Sequence, residues 1–158
     1  MRVHIGSDHA GYDLKQHLVR ALTDDGHEVV DHGPVVLDPA DDYPPYCLRV
    51  AVAVREDAGS LGVVVGGSGN GEQIAANKVP GVRAVLAWSE QTARLGRQHN
   101  DAQVVAVGAR MHTAEEATGF VGAFLAEQFS GDTRHQLRID QMSRFERDGE
   151  LPPLPADA

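Results

Sequence analysis

The chain has 158 residues, 42% hydrophobic and 23% charged, which suits one well-filled core and lies far from the composition of a disordered chain. Its formal net charge of −9 excludes a general electrostatic pull toward nucleic acid or membrane, so any phosphate it binds needs a local basic cluster. A single cysteine, Cys47, excludes an intramolecular disulfide and a multi-cysteine metal site and fits a reducing compartment.

Met1 leads directly into a run of β-branched residues, Arg2–Ser7, which is predicted as the first strand. No signal-peptide pattern precedes it, and no stretch approaches the ~18 consecutive apolar residues of a membrane span. A cytoplasmic protein is therefore expected. After the loop Ser7-Asp8-His9-Ala10-Gly11, residues Leu14, Leu18, Ala21 and Leu22 share one face of a predicted helix. Glu28–Asp31 reads as a second strand, and Val50, Ala53 and Val54 mark a second amphipathic segment. Leu61–Gly66 is apolar throughout, as a strand covered on both faces is. Val82–Ala87 and Val104–Val107 complete five predicted strands. Helix-forming residues run from Thr113 to Gln128, Gly131 breaks the pattern, and Arg134–Arg147 reads as an added helix.

Alternating strands and helices predict an α/β protein, a Rossmann-like three-layer sandwich with a five-stranded parallel sheet and an extra C-terminal helix. The expected organisation is one domain over residues 1–150 and a loose, proline-rich tail over 151–158. In such sheets ligands bind beyond the carboxyl ends of the strands, so the loops there are the places to look.

The loop after the third strand, Gly66-Gly67-Ser68-Gly69-Asn70-Gly71-Glu72, is the most informative. Its glycines let successive backbone N–H groups converge on one point beside a helix start, a nest that stabilises an anion. The spacing is G-x-G-x-G, not the G-x-G-x-x-G of a dinucleotide site, and no Gly-Lys-Ser/Thr of a Walker loop follows. Glu72 would repel a resident nucleotide phosphate. It suits an anion that forms transiently while the carboxylate takes up a proton. The bland alternative is a tight strand-to-helix turn with a first-turn carboxylate favoured by the helix dipole.

Read together, Gly6-Ser7-Asp8-His9-Ala10-Gly11, the glycine loop with Glu72, Ile74-Ala75-Ala76-Asn77-Lys78, Arg97-Gln98-His99-Asn100-Asp101 and Arg134-His135-Gln136-Leu137-Arg138 resemble the ribose-5-phosphate isomerase B family. The motifs occur in the family's order over nearly the whole chain. The resemblance implies an aldose–ketose isomerase that interconverts ribose 5-phosphate and ribulose 5-phosphate through an enediolate, without metal or other cofactor. The family also includes isomerases of six-carbon sugar phosphates such as allose 6-phosphate and galactose 6-phosphate. One subgroup carries a cysteine at the position of Gly66. This chain instead resembles the subgroup whose base is a glutamate, here Glu72, and Cys47 does not substitute.

By that resemblance Glu72 is the base that carries a proton between C2 and C1, and the N–H groups of Gly67, Ser68, Gly69, Asn70 and Gly71 face the enediolate oxygen. Ser68 also donates to that oxygen or helps move a proton. His99 is the candidate for opening the sugar ring, with Asp8 and His9 as alternatives. Tyr43 and Asn100 would contact the sugar. His9, Arg110, Arg134 and Arg138 would hold the phosphate. Arg134 and Arg138 are four apart, a spacing that puts both on one helix face. Against these stand ordinary readings: an interface aromatic for Tyr43, a solvated helix end for His99, and a solvated basic face for the two arginines.

The expected partners are a small sugar phosphate and a second copy of the chain. The resemblance implies a homodimer, with a homotetramer also possible, and an active site shared between subunits, with His99, Asn100 and Arg110 facing the partner's glycine loop. A non-catalytic Rossmann module that binds a phosphate ligand is the rival outside enzymes. It lacks both nucleotide fingerprints. His4, His17, His27, His32 and His112 show no metal-ligand spacing.

Overall fold

The computed structural model describes residues 1–154. Five strands, β1 (Arg2–Ser7), β2 (Glu28–Asp31), β3 (Leu61–Gly66), β4 (Ala84–Leu86) and β5 (Val104–Gly108), form one parallel sheet in the order β2-β1-β3-β5-β4. The helices between and after them are α1 (Tyr12–Asp24), α2 (Pro44–Glu56), α3 (Asn70–Ala76), α4 (Glu90–Asn100), α5 (Ala114–Ala126) and α6 (Thr133–Asp148). A short 3-10 turn, His9–Gly11, leads into α1.

The two faces of the sheet are packed separately. On one side Leu14, Leu18 and Leu22 of α1, Ala93 of α4 and Phe120, Val121 and Phe124 of α5 cover Val3, Ile5, Val63, Val65, Val105 and Val107. On the other, Cys47, Val50, Ala51 and Val54 of α2 and Ala75 and Ala76 of α3 cover Val64, Val104 and Ala106. Strand residues alternate between these cores, which is why β3 is apolar at every position. Gly62 lets α2 come close: a Cβ there would stand 2.9 Å from both Val50 and Val54.

The expected three-layer sandwich is present, with local differences that include α2 and the fourth strand. On α2 the third inward residue is Ala51, whereas Ala53 is only half-buried. The fourth strand is shorter than Val82–Ala87. It is an edge strand paired only with β5, and the Arg83 N–H is satisfied by the Gln103 side chain at 2.8 Å instead of by a ladder bond. The added helix α6 packs through His135 and Ile139, its buried residues. Residues 151–154 follow it in no regular structure, with Leu151 and Leu154 exposed. The rest of the expected tail, residues 155–158, lies outside the described residues. Among the described residues no helix is long and apolar enough to cross a membrane.

Because every strand runs the same way, the sheet has two chemically different ends. Ser7, Gly66 and Gly108 end adjacent strands at the carboxyl edge, where Gly66 pairs with Gly108 and Ser7 with Val65. The carboxyl end of α4 lies at the opposite edge, where Arg83 Nε donates to the Asn100 carbonyl at 2.6 Å.

Candidate active site

The carboxyl edge gathers the loops singled out in the sequence. Gly69 adopts φ +83°, and a Cβ there would stand 2.5 Å from Leu86, so glycine is required for the turn into α3. Ser68 Oγ is exposed and accepts from the N–H and the side-chain amide of Asn70, both at 3.3 Å. The turn puts Glu72 in the first turn of α3, pointing inward and only 4% exposed. Its carboxylate fills the space that a side chain on Gly66 would take.

Burial raises the Glu72 carboxyl above its ordinary value and the nearby Asp8 charge raises it further, while the backbone amides of Glu72 and Gly69 oppose them. Glu72 Oε2 and Ser7 Oγ are both buried without a hydrogen-bond partner among the described residues. Unsatisfied polar atoms at the end of β1 and in the first turn of α3 mark a place where a polar ligand would be stabilised. Asp8 is itself buried, and its carboxylate accepts from the N–H groups of Ala10 at 3.0 Å and Gly11 at 3.2 Å.

Tyr43 reaches the same loop. A Cβ on Gly71 would stand 2.7 Å from its Cζ and 2.8 Å from its hydroxyl, so the phenol lies flush against the glycine backbone. Arg110 follows β5 and its N–H donates to the Gly67 carbonyl at 3.0 Å. Its guanidinium also borders Gly67, with Nη1 at 3.4 Å from where a Cβ would be. Arg110 thus sits beside the glycine loop of its own chain. It does so because the β5 carboxyl end is the neighbour of the β3 carboxyl end.

Cys47 is fully buried beneath this region. Burial pushes its thiol up, and the charges of Glu72 and Asp8 add to the effect. A thiol so placed stays protonated and is no rival base.

His99, Asn100, Arg134 and Arg138 form a second group, at the other edge. His99 and His135 rings meet edge to face with centroids 4.1 Å apart. Burial lowers the His99 imidazole below its ordinary value, and His135, Arg134 and Arg138 lower it further, so the ring is neutral near pH 7. A strand the length of β5 spans on the order of 15 Å, which separates this group from Glu72 within one chain.

Three contributors escaped the sequence reading. Asp41, in the β2–α2 loop, accepts from the His9 N–H at 2.7 Å and contacts its ring Nδ1 at 3.0 Å. Lys15 is completely buried, and its Nζ donates to Asp31 Oδ2 at 2.6 Å and to the Pro34 carbonyl at 2.8 Å, which ties down the start of that loop. Asp31 in turn accepts from the Gly33 N–H at 2.8 Å. Only Lys15 left a trace in the sequence: a lysine beside Leu14 on the apolar side of α1 needs a buried partner. Among the described residues no group of three or more His, Cys, Asp or Glu side chains is placed to hold a metal ion.

Residues 3–142 match the family model described as Ribose/Galactose Isomerase. The chain is 54% identical over 155 residues to the ribose-5-phosphate isomerase B of Mycobacterium tuberculosis H37Rv, covering 98% of this chain and 96% of that protein. It is 39% identical over 146 residues to the Escherichia coli K12 protein of the same name, covering 92% and 97%. The crystal structure of ribose-5-phosphate isomerase B from Mycoplasma genitalium with bound ribulose-5-phosphate superposes with a TM-score of 0.89 at 41% identity, covering 93% of this chain and 97% of that one.

Proposed function

The chain belongs to the ribose/galactose isomerase family, and on that premise we propose that it interconverts ribose 5-phosphate and ribulose 5-phosphate by proton transfer, with Glu72 as the base. The observation that carries this reading is a buried carboxylate, raised above its ordinary value and with one oxygen unpartnered, beside a glycine turn.

In the open-chain aldose, Glu72 removes the proton from C2, and the electron pair moves toward the C1 carbonyl to give an enediolate. The same carboxyl group, now protonated, returns that proton to C1. The raised carboxyl matters for both halves, because a base near the working pH both accepts and gives back a proton readily. The N–H groups of residues 67–71, that of Asn70 turned from Ser68 Oγ, lower the energy of the enediolate oxygen, and Ser68 relays the proton between the two oxygens. Asp8 keeps Glu72 basic by its charge, and Tyr43 orients the sugar from the α2 side. The reaction is redox-neutral and consumes no cofactor.

The phosphate is held by His9 and Arg110 from one chain. His99, Asn100, Arg134 and Arg138 act on a site belonging to a second subunit, in a homodimer in which the amino edge of one sheet faces the carboxyl edge of the other. The separation of the two groups within one chain supports this arrangement. A neutral His99 can take the ring hydroxyl proton and open the furanose, and Asn100 binds a sugar oxygen. Pairing of such dimers into a homotetramer is compatible with the exposed Leu137, Met142 and Phe145 on α6.

A coupled turnover assay on ribose 5-phosphate beside allose 6-phosphate and galactose 6-phosphate, with EDTA present, tests the substrate. Faster turnover of the pentose supports the reading. Preference for a hexose phosphate moves the chain to the six-carbon branch, and tight binding of a phosphate ligand without turnover makes it a binding module.

A further inference from the structure

We propose that Asp41 is a positioning residue that clamps His9 by its backbone N–H and its ring Nδ1, so that Nε2 faces the substrate phosphate as a hydrogen-bond donor. The inference rests on the reading that His9 contacts that phosphate.

The clamp has two parts. Asp41 Oδ1 accepts from the His9 N–H at 2.7 Å and stands 3.0 Å from Nδ1, while the Asp41 carbonyl oxygen lies 3.1 Å from the same ring nitrogen. Both groups facing Nδ1 can only accept, so Nδ1 carries a hydrogen. The consequence falls on Nε2. In the neutral ring Nε2 would present a lone pair, which repels a phosphate oxygen. Only the cationic ring has a second N–H to offer.

Asp41 supplies the charge that keeps the ring cationic. Its side chain is 8% exposed, against 33% for His9, and its Oδ2 is buried with no hydrogen-bond partner among the described residues. A carboxylate so poorly solvated interacts strongly with a cationic ring that it touches. The charges acting on the ring are Asp41 from the β2–α2 loop and Asp8 from its own turn. Both raise His9 above its ordinary value, the Asp41 hydrogen bond most, and partial burial opposes them. From α2, Tyr46 faces Asp41, whose charge together with burial holds the phenol protonated. Buried Lys15 anchors the start of the loop that leads to Asp41, at Asp31 and Pro34.

Asp41→Asn keeps an oxygen for the His9 N–H and removes the charge. The Michaelis constant for ribose 5-phosphate is measured between about pH 5.5 and 9 for the wild-type enzyme, Asp41→Asn and His9→Ala. We expect the first two to agree at the acid end, where both rings are cationic. As pH rises, KM of Asp41→Asn climbs earlier, reaching about tenfold the wild-type value if the ring midpoint falls by about one unit, with a smaller change in kcat. The titration of the substrate phosphate is common to all three proteins and cancels. A pH profile of KM identical to wild type overturns the proposal, as does a KM raised equally at every pH, which would mean lost structure instead of lost charge. An unchanged KM in His9→Ala overturns the phosphate contact itself, independently of Asp41. If Asp41→Asn does not fold, NMR titration of the His9 ring in the wild-type protein decides: a midpoint above about 6.5 supports the clamp, and one at or below it refutes it.

Discussion

The Glu72 carboxylate and a side chain on Gly66 would compete for one space: a Cβ built on Gly66 meets Glu72 Oε1 and Cδ, and comes within 2.8 Å of Cγ. Residues six apart in sequence converge because Gly66 ends β3 and the glycine turn carries the first turn of α3 back over it. A cysteine side chain at position 66 and the glutamate carried at position 72 would therefore address the same point. A base at one position excludes a side chain at the other.

Gly66→Ala tests that exclusion. The added methyl must push the carboxylate aside, so kcat should fall by about 10²-fold or more, the range lost with a general base. Binding of ribulose 5-phosphate should change little. Steady-state kinetics on the folded variant check it, and near-normal kcat would show that Glu72 does not act from this position.

The acid limb of the pH–rate profile should depend on Asp8. Burial raises Glu72 and the Asp8 charge raises it further, so the base is lost on the acid side at a higher pH than an ordinary glutamate would be. Asp8→Asn removes one of the two causes and keeps an acceptor for the Ala10 and Gly11 N–H groups. The acid limb of kcat/KM should then move to lower pH, whatever happens to the plateau. A limb that stays in place or moves upward contradicts the coupling.

Lys15→Met should destabilise the fold by about 3 kcal/mol, near the low end for breaking a buried pair, because Asp31 retains some solvent at 29% exposure. Denaturant unfolding measures it. The double change Lys15→Met with Asp31→Leu should recover only part of the loss, since no charge is then left unpaired but the Gly33 N–H and the Pro34 carbonyl lose their partners.

A site shared between subunits predicts complementation. Glu72→Gln and His99→Asn each disable the site to which they belong. Dissociated and reassociated together, the two inactive variants should regain about a quarter of wild-type activity, since about half the dimers are mixed and each mixed dimer holds one intact site. No recovery in verified mixed dimers would mean that the site is completed within one chain.

The sheet was legible where chemistry marks strand ends. β1, β2 and β3 match their predicted bounds because charged or glycine residues close each β-branched run. β4 did not, because its end residues look like strand, and that the Arg83 N–H meets the Gln103 side chain instead of a ladder partner cannot be read from the residues. Glu72 and its glycine turn could be read because they lie within one short loop. Asp41 could not, because its meaning depends on His9, 32 positions away. That Arg110 borders its own Gly67 was hidden for a similar reason: it follows from β5 lying next to β3, an order the residues do not spell out.

The most direct test of Glu72 as the proton carrier is Glu72→Gln, assayed for isomerisation and for exchange of the C2 hydrogen of ribose 5-phosphate with D2O. Turnover and exchange should both fall by about 10³-fold or more, while the dissociation constant for ribulose 5-phosphate stays within about threefold of wild type, since the amide is nearly isosteric. Isomerisation and exchange within about tenfold of wild type would contradict the account.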